Sequence, residues 1–492
     1  MRAFAPSLLF AAATLSYAQG LPPLRGQSTS WNSTFKFTQD QLDLSELTPE
    51  FGSILETILN FDRTQLANGG PEHDSFYDLS QDAKCTKAPN KAGEVLKVQR
   101  VTDPEPYNIP AGTGLSRIIY SSTNVNGSLV PASAYVLWPF EPKSFDGRDG
   151  KGSSARAPVV LWTHGTSGFY ADGAPSAHRS LFYGDVVPFT LAQAGYAVVA
   201  PDYAGLGVST SWNGDFVPHQ YFGREAGAAD ALNAIRATRK VFSERLTDEY
   251  VVVGHSQGGH IAWGISEVLA MYRKQYEDVE SGHLGTIAFA PGSNPFRISP
   301  SLFLPWIGKW LVDVYPGFKL TDLLTPLGVA RTKILGEVQG GQWFSTFLFQ
   351  PPEAIVKPTW NESRHIEAFL QESNPGHRPF KGPMMLVQGA EDVAALLEEN
   401  MALFDDTCKE YPGDFEFLNI PGTGHFTSID ASRQTWLRWI EDRFRGREVK
   451  SKGCVKSELK SFLPLKEYQT VRRSFAQWSG KPEWLHQIPV SG

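Results

Sequence analysis

The stretch Gly254-His255-Ser256-Gln257-Gly258-Gly259 constrains this chain more than any other. It follows the apolar run Tyr250-Val251-Val252-Val253 and precedes a helical pattern over residues 260–272. A serine framed by glycines between a strand and a helix sits on a sharp turn in strained backbone. The glycines are needed because strand and helix pass there too closely for side chains. Such a turn presents the serine hydroxyl at the carboxyl edge of a sheet. It also places the Gln257 backbone N–H at a helix N-terminus, where it can donate to a developing oxyanion. Ser256 is the candidate nucleophile and Gln257 a candidate oxyanion donor. The plainer alternative is a tight turn carrying a bystander serine.

The surrounding pattern fits that turn. Strand signals over 95–101, 116–120 and 132–138, with a turn at Asn124-Val125-Asn126-Gly127, predict an antiparallel meander. The runs at 158–162 and 195–200 are apolar throughout, as strands covered on both faces should be. Helical stretches separate these strands, the strand before Ser256 and the strand at 286–290. Strands alternating with helices predict an α/β fold with a mainly parallel sheet. From residue 292 the alternation stops for about 90 residues, and an aromatic-rich helical stretch follows. It carries Phe303, Trp306, Trp310, Tyr315, Trp343, Phe344, Phe347 and Phe349. Most of these are expected to form its own core, with Trp306 and Trp343 as candidates for lining an apolar substrate pocket. The sheet resumes at 383–387, with a last strand at 415–420 and a terminal helix over 431–443.

A serine hydroxyl needs a base, and the base needs an orienting acid. On α/β scaffolds of this kind the chain order is serine, acid, histidine. After residue 380 two candidate bases stand in the right order, His425 and His486. His425 lies in Gly422-Thr423-Gly424-His425-Phe426, a glycine-flanked loop between the last strand and the last helix, and is preferred over His486 in the irregular tail. Leu386-Val387-Gln388-Gly389-Ala390-Glu391-Asp392 supplies the acid, with Asp392 preferred and Glu391 as the alternative. Trp162-Thr163-His164-Gly165-Thr166-Ser167-Gly168 follows an earlier strand, so the Thr166 amide is the second candidate oxyanion donor. Tyr203, in the turn after the next strand, is a candidate for the pocket wall, beside an equally weighted structural role. His255 is expected to pack locally, and His164 to brace its loop. The histidines are dispersed and the cysteines few, so neither metal nor cofactor is expected.

These residues resemble the fungal secretory lipase family, whose best-known member is the A-type lipase of a yeast. The resemblance rests on Gly254–Gly259, Pro201-Asp202-Tyr203, Gly389 with Asp392, Gly424-His425 and the helical stretch near 292–380. It implies an α/β-hydrolase fold with an inserted helical cap. It also implies export and cofactor-free action on acylglycerols and other carboxylic esters. The spacing of Cys408 and Cys454 is similar to a disulfide in that family. The function expected is therefore a secreted lipase or carboxylesterase that forms an acyl-enzyme on Ser256. The alternatives are a deacetylase or acyltransferase acting on a fungal secondary metabolite. A non-catalytic binding protein on the same scaffold is disfavoured because serine, histidine and acid are all in place.

Export has its own signs. Residues 1–18 carry one arginine, a short apolar region and small residues at a cut site, as a secretory leader does. Sequons stand at Asn32, Asn126 and Asn361. Cys408 and Cys454 bracket the end of the core and the start of the tail and are expected to pair, leaving Cys85 over. A net charge of -7 argues against nucleic acid as a partner, and no apolar run reaches membrane-spanning length. A small-molecule or lipid ester, with contact at a lipid interface, is the partner this implies. The division expected is a leader (1–18), a segment wrapping the core (19–90), the core in two parts (91–291 and 381–446), a helical cap (292–380) and an irregular tail (447–492).

Overall fold

The computed structural model describes residues 34–80, 86–145, 156–450 and 452–468 of the 492. The expected leader, the sequon at Asn32, Cys85 and His486 lie outside the described residues.

Ten strands form one sheet: β1 (Val95–Gln99), β2 (Thr113–Thr123), β3 (Leu129–Pro139), β4 (Ala157–Thr163), β5 (Ala197–Pro201), β6 (Leu246–His255), β7 (His283–Phe289), β8 (Met384–Gly389), β9 (Phe415–Ile420) and β10 (Cys454–Glu458). Their order is β1-β2-β3-β5-β4-β6-β7-β8-β9-β10. The first three pair antiparallel, as does β3 with β5. From β5 to β10 every pairing is parallel. The period of two explains why the central strands are apolar without a break. Val159 and Leu161 of β4 enter the core on one face, while Val160 and Trp162 enter the core on the other. Tyr250 and Val252 of β6 join the first face, Val251 and Val253 the second. Helices Arg224–Val241 and Gln257–Met271 cover one face, and Pro188–Gln193 and Arg433–Phe444 the other.

Between β7 and β8 the chain leaves the sheet for a run of helices that includes Pro300–Val314, Pro326–Val338, Gln342–Leu348 and Arg364–Ser373. Their aromatic and aliphatic side chains make a separate apolar cluster. The N-terminal helix belongs to that cluster. It runs Pro49–Thr64, opened by the Thr48 hydroxyl accepting from the Phe51 N–H at 3.2 Å. Its stripe Leu55, Ile58 and Leu59 packs with Leu335, Val338 and Phe344. Residues 49–64 of the N-terminal segment thus dock on the inserted helices, while Leu66, Phe76, Tyr77 and Leu79 further along it pack in the sheet core. The helix expected over 431–443 is Arg433–Phe444, preceded by the short helix Thr427–Ala431. One further expectation changes. The tail contributes β10, which lies parallel to β9 and is tied down by the Cys408–Cys454 disulfide. Among the described residues no helix is long and apolar enough to cross a membrane.

Candidate active site

Parallel strands end at one edge of the sheet, so the loops that follow them meet there. Thr163 pairs with Gly254, His255 with Phe289, and Gly389 with Ile420. Thr166 follows β4, Ser256 follows β6, Asp392 follows β8 and His425 follows β9. The sheet register therefore gathers side chains from four distant parts of the chain.

Ser256 holds φ 58° and ψ -119° at the N-cap of helix Gln257–Met271. That backbone is sparsely populated for a residue with a side chain, so the surroundings must impose it. Its N–H donates to the Phe289 carbonyl at 3.0 Å. A Cβ on Gly258 would collide with the Thr163 carbonyl, and one on Gly254 with the Gly258 carbonyl. These two glycines let β4, β6 and the helix approach closely enough to fix the turn.

His425 Nδ1 lies 2.8 Å from Asp392 Oδ2. The other carboxylate oxygen, Oδ1, accepts the backbone N–H groups of Ala394 and Ala395 at 2.7 and 2.9 Å. Asp392 is 5% exposed, whereas Glu391 beside it faces solvent. Two backbone amides, the Gln388 side-chain amide at 3.4 Å and an imidazole engage the Asp392 carboxylate, which fixes the orientation of the ring. Ser256 and His425 line the same cavity, of about 680 Å³. Among the described residues no hydrogen bond joins the Ser256 hydroxyl to the imidazole.

The two candidate oxyanion donors are placed by buried polar contacts. Gln257 is the first residue of its helix, so its N–H has no carbonyl partner within the helix. The Gln257 side chain is 1% exposed and donates from Nε2 to His219 Nε2 at 3.0 Å. His219 Nδ1 lies 3.2 Å from the Ala204 carbonyl, which can only accept, so Nδ1 carries the proton and Nε2 accepts. Burial depresses His219 to about 3, which keeps this tautomer neutral. On the other side, Thr166 Oγ1 lies 2.7 Å from Tyr221 Oη, and Trp310 donates to the Tyr221 carbonyl at 3.2 Å. The inserted helices thus reach the Thr166 loop through Tyr221.

Three of the residues singled out in the sequence serve this framework. Tyr203 is fully buried and does not line the cavity. Its hydroxyl donates to the His164 carbonyl at 2.9 Å, and its ring stacks between His164 and His219. Trp306 is also buried, packed edge-on against Tyr221 within the apolar cluster. Both were candidates for the pocket wall, and both are turned into the core by their neighbouring rings. Trp343 does line the cavity. His255 does more than pack locally. Its Nε2 donates to the His425 carbonyl at 3.0 Å, and its ring lies 4.4 Å from that of His425. Burial first, and then the neighbouring His425, push the His255 imidazole well below its usual range, so it stays neutral. The cavity also takes in Asp62, Asp172 and Asn108. No motif marks these three. The helical period of residues 49–64, with Asp62 at the end of its stripe, is the one signal that could have drawn attention to Asp62.

A model of the Alpha/beta hydrolase family matches residues 159–435, more than half of the chain. The chain belongs to the alpha/beta hydrolase family. Candida antarctica lipase A resembles this hydrolase with a TM-score of 0.56 at 16% identity, over 78% of this chain and 88% of that one. The rice cell wall degrading esterase LipA from Xanthomonas oryzae gives 0.55 at 17% identity, over 71% of this chain and 100% of that one. A putative hydrolase from Legionella pneumophila gives 0.53 at 15% identity, over 72% and 98%. At such identities the likeness is one of fold. No curated protein matches this hydrolase in sequence.

Proposed function

We propose that this alpha/beta hydrolase cleaves carboxylic esters through an acyl-enzyme on Ser256. The observation that carries the reading is the His425–Asp392 contact of 2.8 Å in the cavity that Ser256 lines. His425 takes the proton from Ser256 as the hydroxyl oxygen attacks the ester carbonyl carbon. The carbonyl π electrons move to oxygen, and the oxyanion accepts hydrogen bonds from the Gln257 and Thr166 amides. Asp392 stabilises the imidazolium and holds its tautomer. The C–O bond to the alcohol breaks, and His425 returns the proton to the leaving oxygen. Water, deprotonated by His425, then attacks the acyl carbon; the bond to Ser256 Oγ breaks and His425 returns the proton to that oxygen. The inserted helices are read as a cap over this site. The names of two structural neighbours, a lipase and an esterase, are in keeping with ester chemistry.

Labelling with a fluorophosphonate probe tests this directly. Wild type should label, and Ser256→Ala should not. His425→Ala should lower kcat for p-nitrophenyl acetate by about a thousandfold or more. Equal labelling of wild type and Ser256→Ala would remove Ser256 as nucleophile.

We also infer that the chain is exported. The support is the leader-like residues 1–18, the Cys408–Cys454 disulfide, and sequons at Asn126 and Asn361, both on the surface. Protein recovered from culture medium should shift in mobility after enzymatic deglycosylation. Retention inside the cell with free thiols at Cys408 and Cys454 would refute export.

A further inference from the structure

The cavity that holds Ser256 and His425 has two unlike ends. Phe222, Pro295, Ile298 and Phe303 form an apolar end. Phe222 touches both Phe303 and the space beside Gly292, so these groups are contiguous. The other end is built where the N-terminal helix meets the loop after β4. Asp62, Asp172, Gln65 and Asn108 line it. They are neighbours there: the Arg179 N–H donates to the Gln65 carbonyl at 2.9 Å and the Asn108 N–H to the Arg179 carbonyl at 2.6 Å. His178, one residue before Arg179, has Nε2 2.9 Å from the Asp172 carbonyl.

Among the described residues neither the Asp62 nor the Asp172 carboxyl accepts a hydrogen bond from the protein. Both are half-buried, and their open side is the cavity. Ser167, 4% exposed and next to Thr166, lines the same cavity with a buried Oγ that has no hydrogen-bond partner. Ser167 Oγ is out of water and unpaired, and the two carboxyls open onto the cavity with acceptor positions the protein leaves free, so an occupant that pairs with these groups is favoured. Burial, and then Asp172, push Asp62 up to about 8, while burial, opposed by Arg63, leaves Asp172 at about 6. At neutral pH one group is an acid with an O–H to give and the other a carboxylate that only accepts. Arg63 beside them offsets the charge of Asp172. A wall that both donates and accepts suits hydroxyl groups, which do the same. An alkyl chain would leave it unsatisfied.

Resting on the reading of this cavity as the substrate site, we infer that the enzyme acts on esters of hydroxyl-rich alcohols, whose free hydroxyls bind Asp62 and Asp172. The apolar end then takes the remaining, less polar part of the substrate.

The test compares an acetylated methyl glucoside with hexyl acetate as substrates of the full chain. Wild type should favour the glucoside in kcat/KM. Asp172→Ala should lower kcat/KM for the glucoside about tenfold more than for hexyl acetate, mainly through KM. Asp62→Asn, which keeps the side chain's size, should move the ratio in the same direction. Binding of unacylated methyl glucoside, followed by ligand-observed NMR, should be present in wild type and lost in Asp172→Ala. That arm is independent of turnover: glucoside binding without fluorophosphonate labelling of Ser256 would sink the ester chemistry and leave the subsite standing. A wild-type preference for hexyl acetate, an equal loss on both substrates, or no glucoside binding to wild type would overturn the inference.

Discussion

His255 stands beside Ser256, the proposed nucleophile, yet its contacts are to His425, the proposed base. Its Nε2–H holds the His425 carbonyl, and its ring packs against His425 and Phe426. The neighbouring Nδ1 is buried without a partner, so the hydrogen bond to His425 is the polar contact that justifies an imidazole here. His255→Phe keeps a ring of similar size and removes that donor. The His425 loop would then lose its tie to the turn that carries Ser256. The expected result is a kcat lowered about tenfold or more with KM little changed, because the substrate walls stay in place while the base drifts. A rise in KM at unchanged kcat would show that His255 acts on the pocket and not on the base. His255→Gln, which can still donate to the carbonyl, should recover part of the loss.

β10 makes the same point for an element. It is a five-residue edge strand, alternately exposed and half-buried, and contributes little apolar surface to the sheet. Its anchor is covalent: Cys454 at its start is bonded to Cys408 in helix Leu397–Glu410, closing a loop of 46 residues. A cross-link of that span restricts the unfolded chain, and its loss should cost about 2–4 kcal/mol. Thermal unfolding of Cys408→Ser/Cys454→Ser, compared with wild type, reads that loss, and an unchanged midpoint would mean that β10 holds without it. The strand also shows where sequence legibility stops. β4, β5 and residues 250–253 of β6 announce themselves as apolar runs because both their faces are covered. Cys454-Val455-Lys456-Ser457-Glu458 buries almost nothing and reads as irregular tail. That Ser256, Asp392 and His425 come together at one edge of the sheet is legible because strand ends and chain order restrict them. Asp62 and Asp172 are not, since they meet only after the N-terminal helix has docked on the inserted helices. Tyr203 and Trp306 fail in the opposite direction: aromatic character marks pocket walls and packed cores alike.

The chain as a whole carries two opposed sets of buried titratable groups. Burial holds His164, His178, His219, His255, His260 and His283 below their ordinary value. Burial raises the carboxyls of Asp230 and Glu267, both to about 7. As pH falls through about 6.5, the unfolded chain binds protons at histidines that the native state refuses, so these residues withdraw stability. The raised carboxyls bind protons in the native state before the unfolded one does, so they add stability over much of the same range. A pH scan of the wild type therefore mixes two signs. A single substitution separates them, because the carboxyl contribution is common to both proteins. His283 is suited to this: it is 5% exposed, stands at the start of β7 away from the sheet edge that carries Ser256, and is depressed to about 3 by burial and then by Lys381. Its Nε2 lies 2.8 Å from Thr286 Oγ1, a contact that glutamine can keep. Between about 3 and 6.5 the unfolded imidazole is charged and the native one is not. Moving from pH 7.5 to pH 5 should therefore cost the wild type about 2 kcal/mol more than it costs His283→Gln, measured by urea unfolding at both values. Equal losses in the two proteins would mean that the native imidazole accepts the proton at its ordinary pH, and that burial at the start of β7 does not keep it neutral.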